Sequence, residues 1–389
     1  MSDASTSDNL PRSSPRLWSP KYLALLSLAS LALTLPVPFL SASRFADLSN
    51  WYNDHLHHAY ATWVFLHRGL AIYTMSFRQG AAGVDYPQAF IGEWGNNPGM
   101  VYPPGVFCIF LPATILGWLV PMDQHTFGAI NIAFLLLFAH AGFFCFVSSL
   151  RDQPRGGRLL AATVFWLVLM RSALNGFFDV VWLGAAAAMQ LSFMKGKPER
   201  TILWFGIAGF VHFRAVVVLP LAFAAFLAVT KGRSVREWPW RSLAAPALLG
   251  ALALVSFFLM YPATAALRAS HPPLSSQLGT LAFWSLALVG GAVAYGAWYA
   301  GGAVAAATSA IVTLLAISEM TIYRTFWWHS SISLALLMLP GTLPSIRFPS
   351  LLRQVGVIQM LALEALLWND KQGGAFGLLT QFLTDYKTR

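Results

Sequence analysis

Ionisable side chains are scarce in this chain, so where they gather is informative. Only 10% of residues are charged, yet residues 45–105 collect Asp47, Asp54, Asp85, Glu93, Arg68 and Arg78, together with His55, His57 and His58. Aromatic residues are interleaved with them. A loop that merely joined two apolar runs would not need this chemistry. Carboxylates at a membrane surface could move a proton to or from a substrate. Asp54 follows Trp51-Tyr52-Asn53 and precedes a predicted helix over 55–68. There it could act as the general base for an acceptor hydroxyl, and the same position also suits a plain helix N-cap. Asp85 and Glu93 flank a stretch rich in Tyr, Pro, Gly and Trp. They could bind sugar hydroxyls, with Tyr86 and Trp94 as stacking surfaces, or they could be ordinary solvated loop residues. Tyr102 joins them as an acceptor-side candidate, although Tyr102-Pro103-Pro104 is also a natural opening for a helix.

A second group interrupts an apolar stretch at His212-Phe213-Arg214. Buried Arg and His are costly in a bilayer and persist where they pair or line a polar cavity. A guanidinium with imidazole support suits a phosphate anion, and an ion pair with Asp179 or Glu319 is the structural counterpart. If 201–213 and 215–230 form a broken hairpin, the triplet sits at its tip. Arg324 and His329, in SEMTIYRTFWWHSS, fall on the same side of the layout and could add to the anion site. Asn175 and Asp179 read as caps of the 180–194 run, Asp179 as its N-cap. His55, His57 and His58 do not match zinc spacing and read as polar surface; no metal or cofactor is expected. With no Walker A loop and no G-x-G-x-x-G after a strand, a nucleotide-sugar donor held by a Rossmann domain has no support.

Long apolar elements must position these groups. The 389 residues are 57% hydrophobic with a mean hydropathy of +0.60, which predicts an all-α polytopic membrane protein. Apolar runs fall near 22–41, 126–150, 159–170, 180–194, 201–213, 215–230 and 243–261, with four more toward the C-terminus. The net charge of +10 sits in short loops, a pattern of membrane orientation and not of nucleic-acid binding. Cys108 and Cys145 lie inside apolar runs and offer no disulfide framework. The run 22–41 reads as a retained first span, because no small-residue cleavage site stands out after it.

Loops 151–158, 195–200 and 231–241 are compact and basic and are therefore expected on the cytoplasmic side. That assignment makes the proline-bounded run 105–121 an interfacial or re-entrant helix, since as a span it would turn loop 151–158 outward. The expected layout has about eleven spans. Residues 1–21 form a cytoplasmic tail, and 22–368 form one transmembrane domain. Residues 42–125 make a large extracytoplasmic loop with interfacial helices. The tail 369–389 is suited to an interfacial amphipathic helix.

Four places in this order resemble the GT-C class of integral-membrane glycosyltransferases, nearest its bacterial polyprenyl-phosphate-mannose-type branch. They are Asp54…Ala61…Gly69…Tyr73; Tyr102-Pro103-Pro104 with Pro121; Asn175-Gly176, Lys195–Arg200 and Ala208-Gly209…His212–Arg214…Pro220; and Trp328-His329. The chain departs from the family pattern at Asn175-Gly176, where Gly-Gln is frequent, and at His212–Arg214, where Lys-Pro is frequent. The resemblance implies a GT-C-like bundle in the bacterial inner membrane, with its active site on the extracytoplasmic face. The donor would be a polyprenyl-phosphate sugar such as a mannose, and the acceptor a glycan, lipid or other hydroxyl. Asp54 would be the base of an inverting transfer, with Arg214, His212, Arg324 and His329 on the donor phosphate and Asp85, Glu93 and Tyr102 on the acceptor side. Membrane lipids are the surrounding partner, and nucleic acid is not. Two other readings fit the composition. One is a transporter or flippase for a lipid-linked or anionic solute; the other is a noncatalytic subunit of an envelope-assembly complex.

Overall fold

The structure, a computed structural model, describes residues 19–40, 54–87, 100, 102–150, 155–174 and 176–269. Every regular element among them is helical: α1 Pro20–Thr34, α2 Val37–Leu40, α3 Asp54–Arg68, α4 Phe77–Ala81, α5 Gly105–Leu119, α6 Gln124–Ser149, α7 Arg155–Leu174, α8 Asp179–Met194, α9 Pro198–Val211, α10 Leu219–Thr230 and α11 Trp240–Ala269. Short 3₁₀ turns occupy Gly69–Tyr73, Phe213–Val218 and Val235–Glu237. Among the described residues, Pro20–Leu40, Gln124–Ser149 and Trp240–Met260 are long and apolar enough to cross a membrane. This is a helical membrane protein. Residues 279–368 and the tail 369–389, with the spans expected there, lie outside the described residues.

Local chemistry sets the helix ends. The Asp123 carboxylate accepts from the Thr126 N–H at 2.7 Å and starts α6 as an N-cap. Pro198 and Pro220 stand in the first turns of α9 and α10, where a missing N–H costs nothing. Gly196, at φ +63°, lets the chain reverse between α8 and α9 with no strain from a Cβ. The expected 105–121 element is a helix of 15 residues, about 22 Å long and shorter than a simple span. It lies against α3, α6 and α9.

Small residues bring the central helices close. A Cβ on Gly142 of α6 would lie 2.7 Å from the Gly184 Cα of α8, so these two backbones nearly touch. Without water to drive apolar association, such close backbone approach is what holds membrane helices together. A Cβ on Gly206 of α9 would likewise meet Pro246 of α11 at 2.8 Å. Helices α7 to α10 pack as successive neighbours and α11 packs on α9, so their junctions alternate between two ends of the bundle. At one end, Lys195, Lys197, Arg200, Lys231, Arg233, Arg236 and Arg241 are exposed. At the other lie the α7–α8 junction and the break between α9 and α10. The start of α5 meets that second end, because a Cβ on Gly105 would sit 2.5 Å from the Phe210 carbonyl oxygen.

Candidate functional site

The break between α9 and α10 is built by His212. Its N–H still donates to the Ala208 carbonyl, but its backbone is extended (φ −154°, ψ 134°), so the α-helix stops. Its Nδ1 then accepts the Arg214 N–H at 3.1 Å and caps the 3₁₀ turn that follows. With Nδ1 as acceptor, a neutral ring carries its proton on Nε2. The expected broken hairpin is present, with His212–Arg214 at its tip.

One buried carboxylate organises this tip. The Asp179 Oδ1 accepts from the Trp182 indole N–H at 2.9 Å and from Arg214 Nη1 at 3.3 Å, and His212 Nε2 stands 3.7 Å away. The last distance is too long for a hydrogen bond but within electrostatic reach. The Asp179 side chain is 7% exposed and that of Arg214 14%. Of the two ion-pair partners weighed for Arg214, Asp179 is therefore realised, and Glu319 lies outside the described residues. Asp179 is not the N-cap of α8. Phe178 occupies that position with no side-chain cap, because the Asp179 carboxylate turns inward to the indole and the guanidinium. It still lies in the first turn of α8, where the helix dipole favours a negative charge.

Aromatic rings join this cluster to the first turn of α3. The His58 ring contacts Tyr102 (centroids 5.3 Å apart), Phe178 (5.1 Å) and Phe110 (5.5 Å). Tyr102 and Phe178 in turn contact His212 at 5.6 and 5.7 Å, and Trp182 does so at 6.1 Å. The site thus draws on α3, the residue before the Pro103-Pro104 opening of α5, the start of α8 and the break after α9. Its components combine a guanidinium with an imidazole N–H, a carboxylate that fixes them and an aromatic wall. Such a set can hold an anionic oxygen or neutralise charge that develops on a leaving group.

The histidines of α3 correct the sequence reading. His55, His57 and His58 are buried rather than part of a polar surface. Burial first, then the neighbouring imidazoles, push His55 down to about 3; burial lowers His57 to about 4. His58 falls to about 3, again mainly through burial, with the nearby Asp179 charge opposing. All three are therefore held neutral at physiological pH. No group able to bind a metal is formed among the described residues.

The remaining candidates divide. Asp54 is the first residue of α3, one turn before His58; its side chain lies outside what is described. Asp85 is exposed, and its carbonyl accepts the Trp63 indole N–H at 2.8 Å. Tyr86 is not an open stacking surface: it is 5% exposed, its hydroxyl donates to the Thr114 carbonyl, and its ring lies against Tyr60 and Trp63. Glu93, Trp94, Asn175, Arg324 and His329 lie outside the described residues. Sequence reasoning missed His58, Phe178 and Trp182 as members of the cluster. For Trp182 a signal existed, since residues i and i+3 share a helix face. Comparison with protein-family models, with curated proteins and with solved structures finds no match to this chain.

Proposed function

We propose that this protein is a membrane glycosyltransferase that moves a sugar from a polyprenyl-phosphate donor to an acceptor hydroxyl. The observation that carries this reading is the meeting of the first turn of α3 with the His212–Arg214 break, through His58, Tyr102 and Phe178. Asp54 starts α3 four residues before His58, about 6 Å along the helix axis. A general base and a phosphate-binding pair would need to lie on converging elements of this kind, because attack and departure occur on opposite sides of one anomeric carbon.

In this mechanism Asp54 takes the proton of the acceptor hydroxyl, whose oxygen attacks the anomeric carbon with inversion. The C–O bond to the lipid phosphate breaks, and its electron pair leaves on the phosphate oxygen. Arg214 and His212 stabilise that charge, with Arg324 and His329 as further cations of the same role. Asp85, exposed at the end of the same loop region, serves the acceptor side with Glu93. The membrane is bacterial and the site faces away from the cytoplasm, as the basic residues at the opposite bundle end support.

The test compares the wild type with Asp54→Asn in reconstituted membranes, with a panel of polyprenyl-phosphate sugars that includes mannose. Transfer by the wild type and a loss of at least ~100-fold in the variant is expected for a missing general base. Equal transfer by both would move the base to Asp85 or Glu93. A second reading, a transporter or flippase for an anionic or lipid-linked solute, draws on the helix break beside a buried ion pair. It predicts lipid movement between leaflets without sugar transfer.

A further inference from the structure

We infer that Asp179 is the positioning residue of the anion site: it presets Arg214 and His212 for a phosphate, and does not merely neutralise them. The inference rests on the proposed polyprenyl-phosphate donor and adds the residue that makes the guanidinium and imidazole donors competent.

The geometry argues for positioning in three ways. First, a single oxygen, Asp179 Oδ1, gathers three groups: Trp182 Nε1 at 2.9 Å, Arg214 Nη1 at 3.3 Å and His212 Nε2 at 3.7 Å. The indole contact comes from the same helix, three residues on, so it locks the carboxylate rotamer before either Arg214 or His212 is considered. Second, His212 and Arg214 sit where the α-helix breaks, His212 in extended backbone and Arg214 in the 3₁₀ turn that follows. The Arg214 N–H is bonded to His212 Nδ1, so the two side chains are tied to one local backbone geometry, and both face Asp179 of α8. Third, a guanidinium has five donors in a fixed fork. The contact with Asp179 is made through Nη1, and a guanidinium oriented along one edge can direct in-plane N–H groups at a second oxyanion. Pre-organisation of this kind lowers the cost of ordering a long side chain when the ligand binds.

A carboxylate that only filled the anion seat would give the opposite sign. Its removal would release the guanidinium and strengthen phosphate binding. The decisive measurement is therefore the affinity of full-length protein in lipid nanodiscs for a radiolabelled polyprenyl phosphate, with thermal unfolding followed in parallel. Wild type, Asp179→Asn, Asp179→Glu, Arg214→Gln and the uncharged double variant Asp179→Asn/Arg214→Gln are compared. Positioning predicts that Asp179→Asn binds about 10- to 100-fold more weakly, the loss expected for a charged hydrogen bond. Asp179→Glu, with its carboxylate displaced by one methylene, falls between. The double variant loses less than the sum of the two single losses, because most of the effect of Asp179 passes through Arg214; a residue of purely structural effect would add its full loss. Tighter or unchanged binding by folded Asp179→Asn would overturn the inference, as would additive losses in the double variant. If Asp179→Asn does not fold, wild-type affinity in Asp179→Glu overturns it instead. No binding by the wild type would bring down the donor assignment and this inference together, whereas wild-type binding with an indifferent Asp179→Asn removes the inference alone.

Discussion

Two buried histidines, His140 and His212, sit in polar groups of opposite character. His140, on α6, donates from Nδ1 to the Leu136 carbonyl at 2.8 Å and meets the Ser30 hydroxyl at Nε2 at 2.9 Å. Ser30, on α1, also accepts the Trp166 indole N–H from α7 at 2.6 Å. With Nδ1–H engaged by a carbonyl, Nε2 is the acceptor of the Ser30 O–H, and the chain of donors closes with no formal charge. It ties three helices together at a modest net contribution per bond. The His212 group contains a formal ion pair, an interrupted helix and an aromatic wall drawn from distant parts of the sequence. Neutral closure is what a helix staple needs. Charges kept in a buried place are expensive and are commonly retained for function.

The largest effect expected from breaking this contrast comes from the ion pair. Asp179→Asn removes the carboxylate that the largely buried Arg214 Nη1 meets at 3.3 Å and should lower stability by about 3–5 kcal/mol. The uncharged pair Asp179→Asn/Arg214→Gln should recover most of that loss, since no charge is then stranded. Thermal unfolding in detergent measures both, and a single variant as stable as the double would show that the pair is not the organising contact.

Ser30→Ala should act on the staple alone. It strands the Trp166 N–H and leaves His140 Nε2 the longer contact with Thr34 Oγ1 at 3.4 Å, at a cost of about 1–3 kcal/mol. Sugar transfer at a temperature where the variant stays folded should be unchanged, because Ser30 is no part of the proposed anion site. A transfer defect in folded Ser30→Ala would join the two groups functionally and erase the distinction.

The effect of acid is graded. His55, His57 and His58 are held at about 3, 4 and 3 when folded, against about 6.5 in an unfolded chain. The unfolded state therefore binds more protons as the pH falls. The stability that depends on these groups is fully present above pH ~6.5 and is lost progressively toward pH 3–4. Hydrogen exchange should report loss of protection in α3 and α5 before α6 and α8 on acidification, and His55→Gln should make the dependence shallower. Protection in α3 that did not change between pH 7 and 4 would contradict the burial of these rings.

Much of the helix framework was legible in advance. The runs 126–150, 180–194 and 201–213 reappear as Gln124–Ser149, Asp179–Met194 and Pro198–Val211, because the transfer free energy of an apolar run depends on its own residues. The break at His212–Arg214 was legible for the same reason, as polar groups in an apolar stretch. The three histidines of α3 were misread because a polar residue on a short helix says nothing about what covers it. Tyr86 was misread likewise: its ring fits a binding platform or a core equally well until Tyr60, Trp63 and the Thr114 carbonyl are brought to it.

The sequence by itself determined the class of solvent, the helical runs, the basic loops and the interruption near residue 212. Each follows from hydropathy, charge and dihedral preference within a short window. Only the tertiary structure decided that Asp179 turns from the cap position to Trp182 and Arg214, and that Gly142 meets Gly184. The same holds for the junction of α3 with the α9–α10 break through His58, Tyr102 and Phe178. Apart from the Asp179–Trp182 contact, those pairings join residues tens of positions apart, and packing geometry rather than local preference selects among the partners that charge and size allow.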